Sequence, residues 1–304
     1  MSCPELLLIF QMYTKCRHPA EAVLPKKSKT LIEEFTRSHA GCIVCQQTGY
    51  AACFVTNTCG KQTGAAMEYI KEKIVHYWSK RVENFSNLRI QELEGEKHLL
   101  WLSELKRYLP DRTGLKILDI GTGTGFLAFL LAAEGHHLTG IDLTEDMIQE
   151  AKRLSRVLEL PAQFYVMDGE NPDFPDGSFD AVITRNLTWS LPHLAQAYAQ
   201  WRKLLKPQGV LINFDADYCR EQPPENLPKD HAHKDLSSSM LQEYESIKDI
   251  IRPTQKPRPL WDRELLEKAG YQNISVDTGV WKRIYGQADQ FYNPTPIFTI
   301  TATA

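Results

Sequence analysis

One stretch of this 304-residue chain constrains its fold more than any other: Ile-Leu-Asp-Ile-Gly-Thr-Gly-Thr-Gly-Phe, from Ile117 to Phe126. An apolar run closed by an acid, three alternating glycines and an apolar helical pattern predict a strand, a tight turn and a helix. Glycines there adopt backbone angles closed to other residues, and the free N–H groups of the following helix favour polar or anionic groups. The stretch therefore predicts a nucleotide-binding turn.

The spacing of the glycines indicates which nucleotide it binds. A dinucleotide fingerprint has its third glycine at position 126, which here is Phe126, and requires no acid before the first glycine. In this chain the third glycine is Gly125, and Asp119 lies two residues before Gly121. The pattern resembles the first motif of the class I S-adenosylmethionine (SAM) methyltransferases. This resemblance implies that Asp119 receives the cofactor's methionine amino group, directly or through water. It also implies that the turn passes beneath the cofactor, with Gly121, Thr122, Gly123 and Gly125.

Two further acids follow strand patterns downstream. A strand over 137–142 ends in Asp142, 21 residues after Gly121, where a carboxylate can accept hydrogen bonds from both ribose hydroxyls. A strand over 162–167 precedes Asp168, and the resemblance implies that this acid or a neighbouring backbone N–H contacts the adenine edge. A turn or capping role is the alternative for both acids. By the same resemblance the cofactor site also includes Leu143, Met147, Gly169, Arg185 and Asn186.

Apolar residues recur at helical spacing over 67–85, and a second helix is predicted near 96–109. The first of these resembles the N-terminal helix of small-molecule methyltransferases. There, an aromatic pair like Tyr77-Trp78 and a basic residue like Arg81 fold over the cofactor. The alternative is that Tyr77 and Trp78 only anchor the helix to the core.

The remaining elements complete the pattern of a methyltransferase sheet. Residues 174–180 resemble the turn before the fourth strand of ubiquinone- and menaquinone-biosynthesis-like methyltransferases, and a strand is predicted over 181–184. A helix over 194–205, a turn over 206–209 and a strand over 210–215 resemble that family's closing unit. Residues 185–189 lack the two prolines that nucleic-acid and glutamine methyltransferases carry there, which counts against such substrates.

A final helix is predicted over 262–269, followed by the sixth and seventh strands over 273–277 and 297–303. We therefore expect an α/β fold. The expected architecture is a Rossmann-like three-layer sandwich with a mostly parallel seven-stranded sheet, an antiparallel last strand and a small Cys-rich N-terminal extension.

Residues 217–259 interrupt the pattern and include an added helix over 234–251, so we expect a lid insertion that selects the acceptor. His231-x-His233 is a weak metal pair without a third ligand nearby. No residue has a spacing that identifies a general base. The candidates by position are His193, Asp217, Tyr218, His231 and His233. The aromatic candidates for an apolar acceptor pocket are Trp189, Tyr218, Trp261 and Trp281.

The first 66 residues differ in composition from the rest. They carry a net charge of +3, whereas the whole chain carries −3, and they contain all cysteines except Cys219. This shift predicts a Cys-rich N-terminal extension over 1–66 and a methyltransferase domain over 67–304. The alternatives for the extension are a small accessory cap, sequence joined by an early start codon, or a metal site. The spacing of its central cysteines fits paired zinc knuckles poorly: Cys42, Cys45, Cys53 and Cys59.

Charge and hydropathy limit the partners. A net charge of −3 and a pI near 6.3 give no support to nucleic-acid binding, and the apolar run Leu6–Phe10 is too short for a signal segment or membrane span. We therefore expect a cytoplasmic enzyme without a bound metal, with the oligomeric state open. The predicted activity is SAM-dependent methyl transfer to a small molecule by in-line displacement. The alternatives are a nicotinamide-dependent oxidoreductase and a non-catalytic SAM-binding module.

Overall fold

The computed structural model describes residues 63–220, 236–287 and 289–304, with a compact unit from Ile70 to Ala304. The four clustered cysteines of the N-terminal extension, His231 and His233 lie outside the described residues. The helices are α1 (Thr63–Glu94), α2 (Lys97–Tyr108), α3 (Phe126–Ala133), α4 (Glu145–Val157), α5 (Leu194–Leu204), α6 (Ser238–Ile251), α7 (Leu260–Lys268) and α8 (Val280–Tyr285). The strands are β1 (Lys116–Ile120), β2 (His137–Asp142), β3 (Ala162–Val166), β4 (Phe179–Arg185), β5 (Leu205–Asp215), β6 (Gln272–Asp277) and β7 (Phe298–Thr303).

The strands form one seven-stranded sheet in the order β3-β2-β1-β4-β5-β7-β6. Strands β1 to β5 pair in parallel, and β7 runs antiparallel to both of its neighbours, β5 and β6. The predicted fold class is confirmed. The chain leaves β1 toward β2 and β3 and returns to β4 on the other side of β1. This change of direction opens a crevice at the carboxyl ends of β1 and β4, where open α/β sheets bind ligands.

The centre of the sheet is buried on both faces. Leu118 and Ile120 of β1 pack in a core cluster with α5 and α7, on which Trp201 and Leu266 are fully buried. Because side chains alternate along a strand, Asp119 points to the opposite face. Helix α3 is apolar on nearly every position and is buried from Phe126 to Leu131. The chain therefore leaves the buried end of β1 directly into a buried helix, which fixes the glycine turn between them.

Two predicted elements differ from the structure. The turn expected over 206–209 lies within β5, because the pairing of β4 with β5 shifts from Phe179–Leu205 to Ala181–Val210 and the residues between bulge outward. Gln208 takes a positive φ of 65° there, which is how a non-glycine residue closes the bulge. The helix over 262–269 is not the final one, since the short helix α8 follows β6.

Among the described helices, none is long and apolar enough to cross a membrane. The cytoplasmic location and the domain boundary at residue 67 stay predictions.

Candidate active site

A cavity lies at the carboxyl ends of β1, β2 and β4, with one face of α1 beside it. All of the predicted cofactor residues except Tyr77 and Gly125 line it: Asp119, Gly121, Thr122, Gly123, Asp142, Leu143, Met147, Asp168, Gly169, Arg185, Asn186 and Trp78. The topology of the sheet thus brings together side chains that are far apart in sequence. We call this space the first cavity.

The glycine turn leaves room for a ligand because it has no side chains at two positions. Gly121 and Gly123 have φ values of 70° and 55°, which side chains rarely tolerate. A Cβ atom on Gly121 would lie 2.9 Å from the side chain of Leu187. Gly125 acts differently, because with φ at 93° it begins α3, and a Cβ there would lie 2.7 Å from the ring of Phe129. It supports the turn from outside the first cavity.

Asp119 is an acid held in a buried position at the floor of the first cavity. It is 2% exposed, and its Oδ2 accepts a hydrogen bond of 2.7 Å from the hydroxyl of Thr122. Burial, together with the nearby charge of Asp142, raises the pKa of Asp119 to about 7. Among the described residues, no lysine or arginine forms an ion pair with this carboxyl group. A cationic group of a ligand would therefore find an acid without an ion-pair partner here.

Asp142 lies at the end of β2 and accepts two backbone hydrogen bonds. Its Oδ1 accepts from the N–H of Thr144 at 2.8 Å, and its Oδ2 accepts from the N–H of Gly123 at 3.0 Å. A carboxylate has about four lone-pair directions, so each oxygen retains one for a ligand hydroxyl. Burial raises the pKa of Asp142 in spite of these bonds. The carboxylate is thus fixed in orientation and still able to accept from a diol.

Asp168 is engaged by a residue that the sequence analysis did not consider. Its Oδ2 lies 2.6 Å from Nζ of Lys71 on α1, and its Oδ1 accepts from the N–H of Glu170 at 2.9 Å. Lys71 is also 2.6 Å from Oε2 of Glu170. Burial lowers the pKa of Lys71, but the bonds to these two acids raise it more, so the net shift is upward. The sequence predicted that either the Asp168 carboxylate or a neighbouring backbone N–H contacts adenine. In the structure the carboxylate is already paired with the ammonium group of Lys71.

Arg185 and Asn186 end β4 between the first cavity and its neighbour. The guanidinium of Arg185 lies 3.9 Å from the ring centroid of Trp101 and donates to Oε1 of Glu92 at 3.3 Å. Asn186 has a positive φ of 56°, uncommon for a non-glycine residue, and its Oδ1 accepts from the hydroxyl of Tyr218 at 3.0 Å. A backbone held in this way at a cavity wall is typical of a functional position.

A second cavity adjoins the first. The two share five lining residues: Trp78, Phe85, Arg89, Arg185 and Asn186. Tyr77, which was predicted to cover the cofactor, lines the second cavity and not the first. Arg81 is found there as well. Their predicted contact with the cofactor stays a prediction.

Of the aromatic candidates for an acceptor pocket, Trp189 and Tyr218 line the second cavity. The other two do not line it: Trp261 packs against the core cluster of α5 and α7, and Nε1 of Trp281 donates to the carbonyl of Asn293 at 2.8 Å. The predicted lid insertion contributes Tyr244 from α6 to the same cavity.

The described candidates for a general base also differ in whether they line a cavity. His193 lines neither cavity, and its backbone N–H and Nδ1 both contact the carboxylate of Glu170. Asp217 also lies outside both, where it accepts from the N–H of Arg258 at 3.2 Å. Tyr218 is the described candidate that lines the second cavity, and its hydroxyl also accepts from Nδ2 of Asn293 at 2.8 Å.

Sequence reasoning missed four residues of α1 that line the first cavity: Lys71, Ile74, Phe85 and Arg89. With Trp78 they recur at spacings of three, four, seven and four, which places them on one face of a helix. This periodicity was available in the sequence. The periodicity was missed because a helix face that packs against the protein is recognised by apolar residues, and this face also carries charged ones.

The chain was compared with known proteins. The family profile described as "Methyltransferase domain" matches residues 117–209. Phosphoethanolamine N-methyltransferase 1 of Arabidopsis thaliana is 35% identical over 36% of this chain and 22% of its own length. The ubiquinone/menaquinone biosynthesis C-methyltransferase UbiE of Rickettsia bellii is 31% identical over 41% of this chain and 53% of its own length. The matched segments thus cover about half or less of the length of these relatives.

A solved structure from Methanococcus maripaludis, whose description assigns it to the S-adenosyl-L-methionine-dependent methyltransferases, shares the fold. It superposes with a TM-score of 0.50 at 16% identity, over 74% of this chain and 92% of its own. The matches give no support to the oxidoreductase or the non-catalytic alternative. Residues 117–209, which run from β1 into β5, thus match a methyltransferase domain, and this part of the chain is similar to S-adenosylmethionine-dependent methyltransferases.

Proposed function

We propose that the first cavity binds SAM and that the domain transfers its methyl group to a small-molecule acceptor in the second cavity. The observation that carries this proposal is the convergence of a glycine turn with two strand-end acids, one of them buried without a cationic partner, on one cavity. An anionic dinucleotide phosphate would here meet the carboxyl group of Asp119, an acid that has no ion-pair partner among the described residues. A ligand with an ammonium group would instead pair with it.

The residues of the first cavity fit the parts of SAM. Asp119 would bind the methionine ammonium group. Its ionised carboxylate, which is otherwise buried without an ion-pair partner among the described residues, would then gain one. Asp142 would accept hydrogen bonds from the ribose hydroxyls with its remaining lone pairs. When bound, the cofactor supplies an activated methyl group, whose transfer breaks the carbon–sulfur bond and leaves the electron pair on sulfur. Because the donor is already activated, the protein needs chiefly to align the acceptor and exclude water.

The second cavity supports the assignment of the acceptor. Its position beside Arg185 and Asn186 brings a bound molecule next to the cofactor cavity, and residues of the predicted lid insertion form part of its wall: Tyr218 and Tyr244. The small-molecule class is further supported by relatives whose names state phosphoethanolamine N-methylation and ubiquinone or menaquinone C-methylation. Those relatives differ in acceptor atom, so they do not indicate which atom this domain methylates.

Titration calorimetry with SAM, S-adenosylhomocysteine (SAH) and NAD tests the cofactor. We expect one site per chain for SAM and SAH and no binding of NAD. Binding of NAD alone at millimolar concentration would contradict the proposal. Mass-spectrometric detection of a methylated product from a panel of small acceptors tests the reaction. Tight SAH binding without turnover of any acceptor in a broad panel would favour the non-catalytic alternative.

A further inference from the structure

Three arginines line the second cavity: Arg81, Arg89 and Arg185. No Asp or Glu is among its lining residues in the described part of the chain. Glu92, fully buried behind the wall, pairs with two of them: it contacts Nη1 of Arg89 and lies 3.3 Å from Nη2 of Arg185. One carboxylate is therefore shared by two guanidinium groups, and the cavity keeps a positive excess.

Arg81 differs from the other two arginines in having no acidic partner within the described residues. It is 2% exposed, and it donates to the hydroxyl of Tyr77 at 2.8 Å and to Oδ1 of Asn84 at 3.4 Å. Both acceptors are neutral. Its Nε atom is buried with no hydrogen-bond partner among the described atoms. A buried charge is normally paired, because removing it from water is costly. A buried guanidinium without an acidic partner thus marks a position for a ligand anion.

Aromatic rings form most of the remaining wall. The ring centroids of Tyr77 and Tyr244 are 5.6 Å apart, and Trp189 lies 5.6 Å from Tyr218 and 5.5 Å from Tyr244. Such walls bury flat or apolar groups well. They would also attract an ammonium group, but the arginine charges repel one. An anion with an apolar body satisfies both the charge and the rings.

We propose that the second cavity binds a small organic anion, with its carboxylate or phosphate group at Arg81 and its apolar body against Tyr77, Trp189 and Tyr244. This inference deepens the proposed function and rests on it for the role of the anion as methyl acceptor. The anion site itself is defined by the cavity and can be measured without methyl transfer.

The test uses four probes of one shape. Benzoate, benzamide and benzamidine are nearly isosteric and carry charges of −1, 0 and +1, and phenyl phosphate replaces the carboxylate. Their affinities for the full chain are measured by calorimetry at pH 7.5 with saturating SAH. We expect benzoate or phenyl phosphate to bind at least about tenfold more tightly than benzamide, and benzamidine to bind most weakly. The better anion indicates whether a carboxylate or a phosphate is preferred.

Two variants and a control locate the preference. Arg81→Gln should reduce the ratio of anion to benzamide affinity to less than about threefold, because it removes the charged donor of the hydrogen bonds to the anion. Arg81→Lys should retain part of this ratio, because it keeps the charge. Arg153→Gln, on the exposed face of α4, should leave it unchanged. SAH affinity should stay within about threefold of wild type in all three variants, since Arg81 does not line the first cavity.

The inference is overturned if the wild type binds benzamide as tightly as both anions, if the preference survives in Arg81→Gln, or if both Arg81 variants lose SAH binding. A wild type that prefers the anions but binds neither SAM nor SAH would contradict the proposed function and support the anion site. A wild type that binds SAH but shows no anion preference would support the proposed cofactor and contradict the anion site.

Discussion

Nζ of Lys71 lies 2.6 Å from Oδ2 of Asp168, and this ion pair joins α1 to the end of β3 across 97 positions of sequence. The same ammonium group reaches Glu170, whose side chain is 2% exposed. The pairing therefore attaches α1 to the sheet at the opening of the first cavity.

Replacing Lys71 by Met keeps the length of the side chain and removes its charge. Glu170 then loses a buried ionic partner, so we expect the free energy of unfolding to fall by about 1–3 kcal/mol. Lys80→Met is the matched control on the same helix. Lys80 pairs with Glu243 at 3.0 Å with its side chain 44% exposed, and its loss should cost less than about 1 kcal/mol. Urea denaturation measures both, and equal losses would show that the Lys71 pair does not anchor α1.

Removing the carboxylate of Asp142 should weaken the binding of SAH. We expect Asp142→Ala to cost about 1.5–3 kcal/mol of binding free energy, the usual contribution of hydrogen bonds to a charged group. The neighbouring Asp146→Ala removes an equal charge from an exposed position and should have little effect. Calorimetry of both variants decides. An unchanged affinity in Asp142→Ala would remove this residue from the ribose site, and a lowered thermal midpoint alone would leave it a role in holding the glycine turn.

The affinity for SAH should depend on the ionisation of Asp119. Burial raises the pKa of this acid to about 7, and only the ionised form attracts an ammonium group. Affinity should therefore fall about tenfold as the pH is lowered from 8 to 6, because the ionised fraction falls by that factor. In Asp119→Asn this dependence should vanish and the affinity should be low throughout. Calorimetry over this range measures it, and parallel pH profiles of the two proteins would contradict the assignment.

The same acid should reduce the stability of the ligand-free protein at neutral pH. The folded chain retains a proton on Asp119 up to pH 7, whereas the unfolded chain releases it near its ordinary pKa of 3.8. The stability that this residue contributes is thus complete below about pH 4 and is lost as the pH rises toward 7. We expect Asp119→Asn to unfold at a higher urea concentration than wild type at pH 8, with a smaller difference at pH 4. A constant difference would show that Asp119 does not titrate in this range.

A buried ionic cluster holds the end of the lid insertion and the start of α7 against β5. The guanidinium of Arg258 lies 3.4 Å from Oδ2 of Asp215 and 2.5 Å from Oδ1 of Asp262, and all three side chains are fully buried. Arg258→Met would leave two buried acids without their cation, so we expect a loss of about 3–5 kcal/mol in unfolding free energy. Arg263→Met, which removes an exposed pair with Glu267, should cost less than about 1 kcal/mol. Denaturation curves that shift equally would contradict this role.

The fold and the first cavity were largely predictable because their signals are local. The strand, turn and helix around Gly121 follow from the spacing of a few consecutive residues, and the positions of Asp119 and Asp142 at strand ends follow from two adjacent patterns. Parallel pairing then places these ends together, which requires no knowledge of distant contacts. The antiparallel last strand has no local signal of this kind, and its prediction rested on the resemblance to methyltransferase sheets.

The second cavity was only partly predictable, because its wall comes from α1, the turn after β4, α6 and residues 291–294. No local pattern indicates that Tyr77 and Tyr244 meet. The pairing of Lys71 with Asp168 was missed for the same reason. Arg81 was predicted to contact the cofactor, but the orientation of a long helix decides which cavity each residue reaches, and sequence spacing gives only the relative positions of residues on the helix.

Helix α1 is a common wall of both cavities, since Trp78, Phe85 and Arg89 line each of them. A molecule in either cavity therefore acts on the position of the same three side chains. If one ligand favours a particular position of the helix, the binding free energy of the other ligand changes accordingly. The change is the same whichever of the two ligands binds first. If the two cavities hold the donor and the acceptor, each ligand should change the affinity for the other by the same factor, through a helix that contributes no atom to the bond being made.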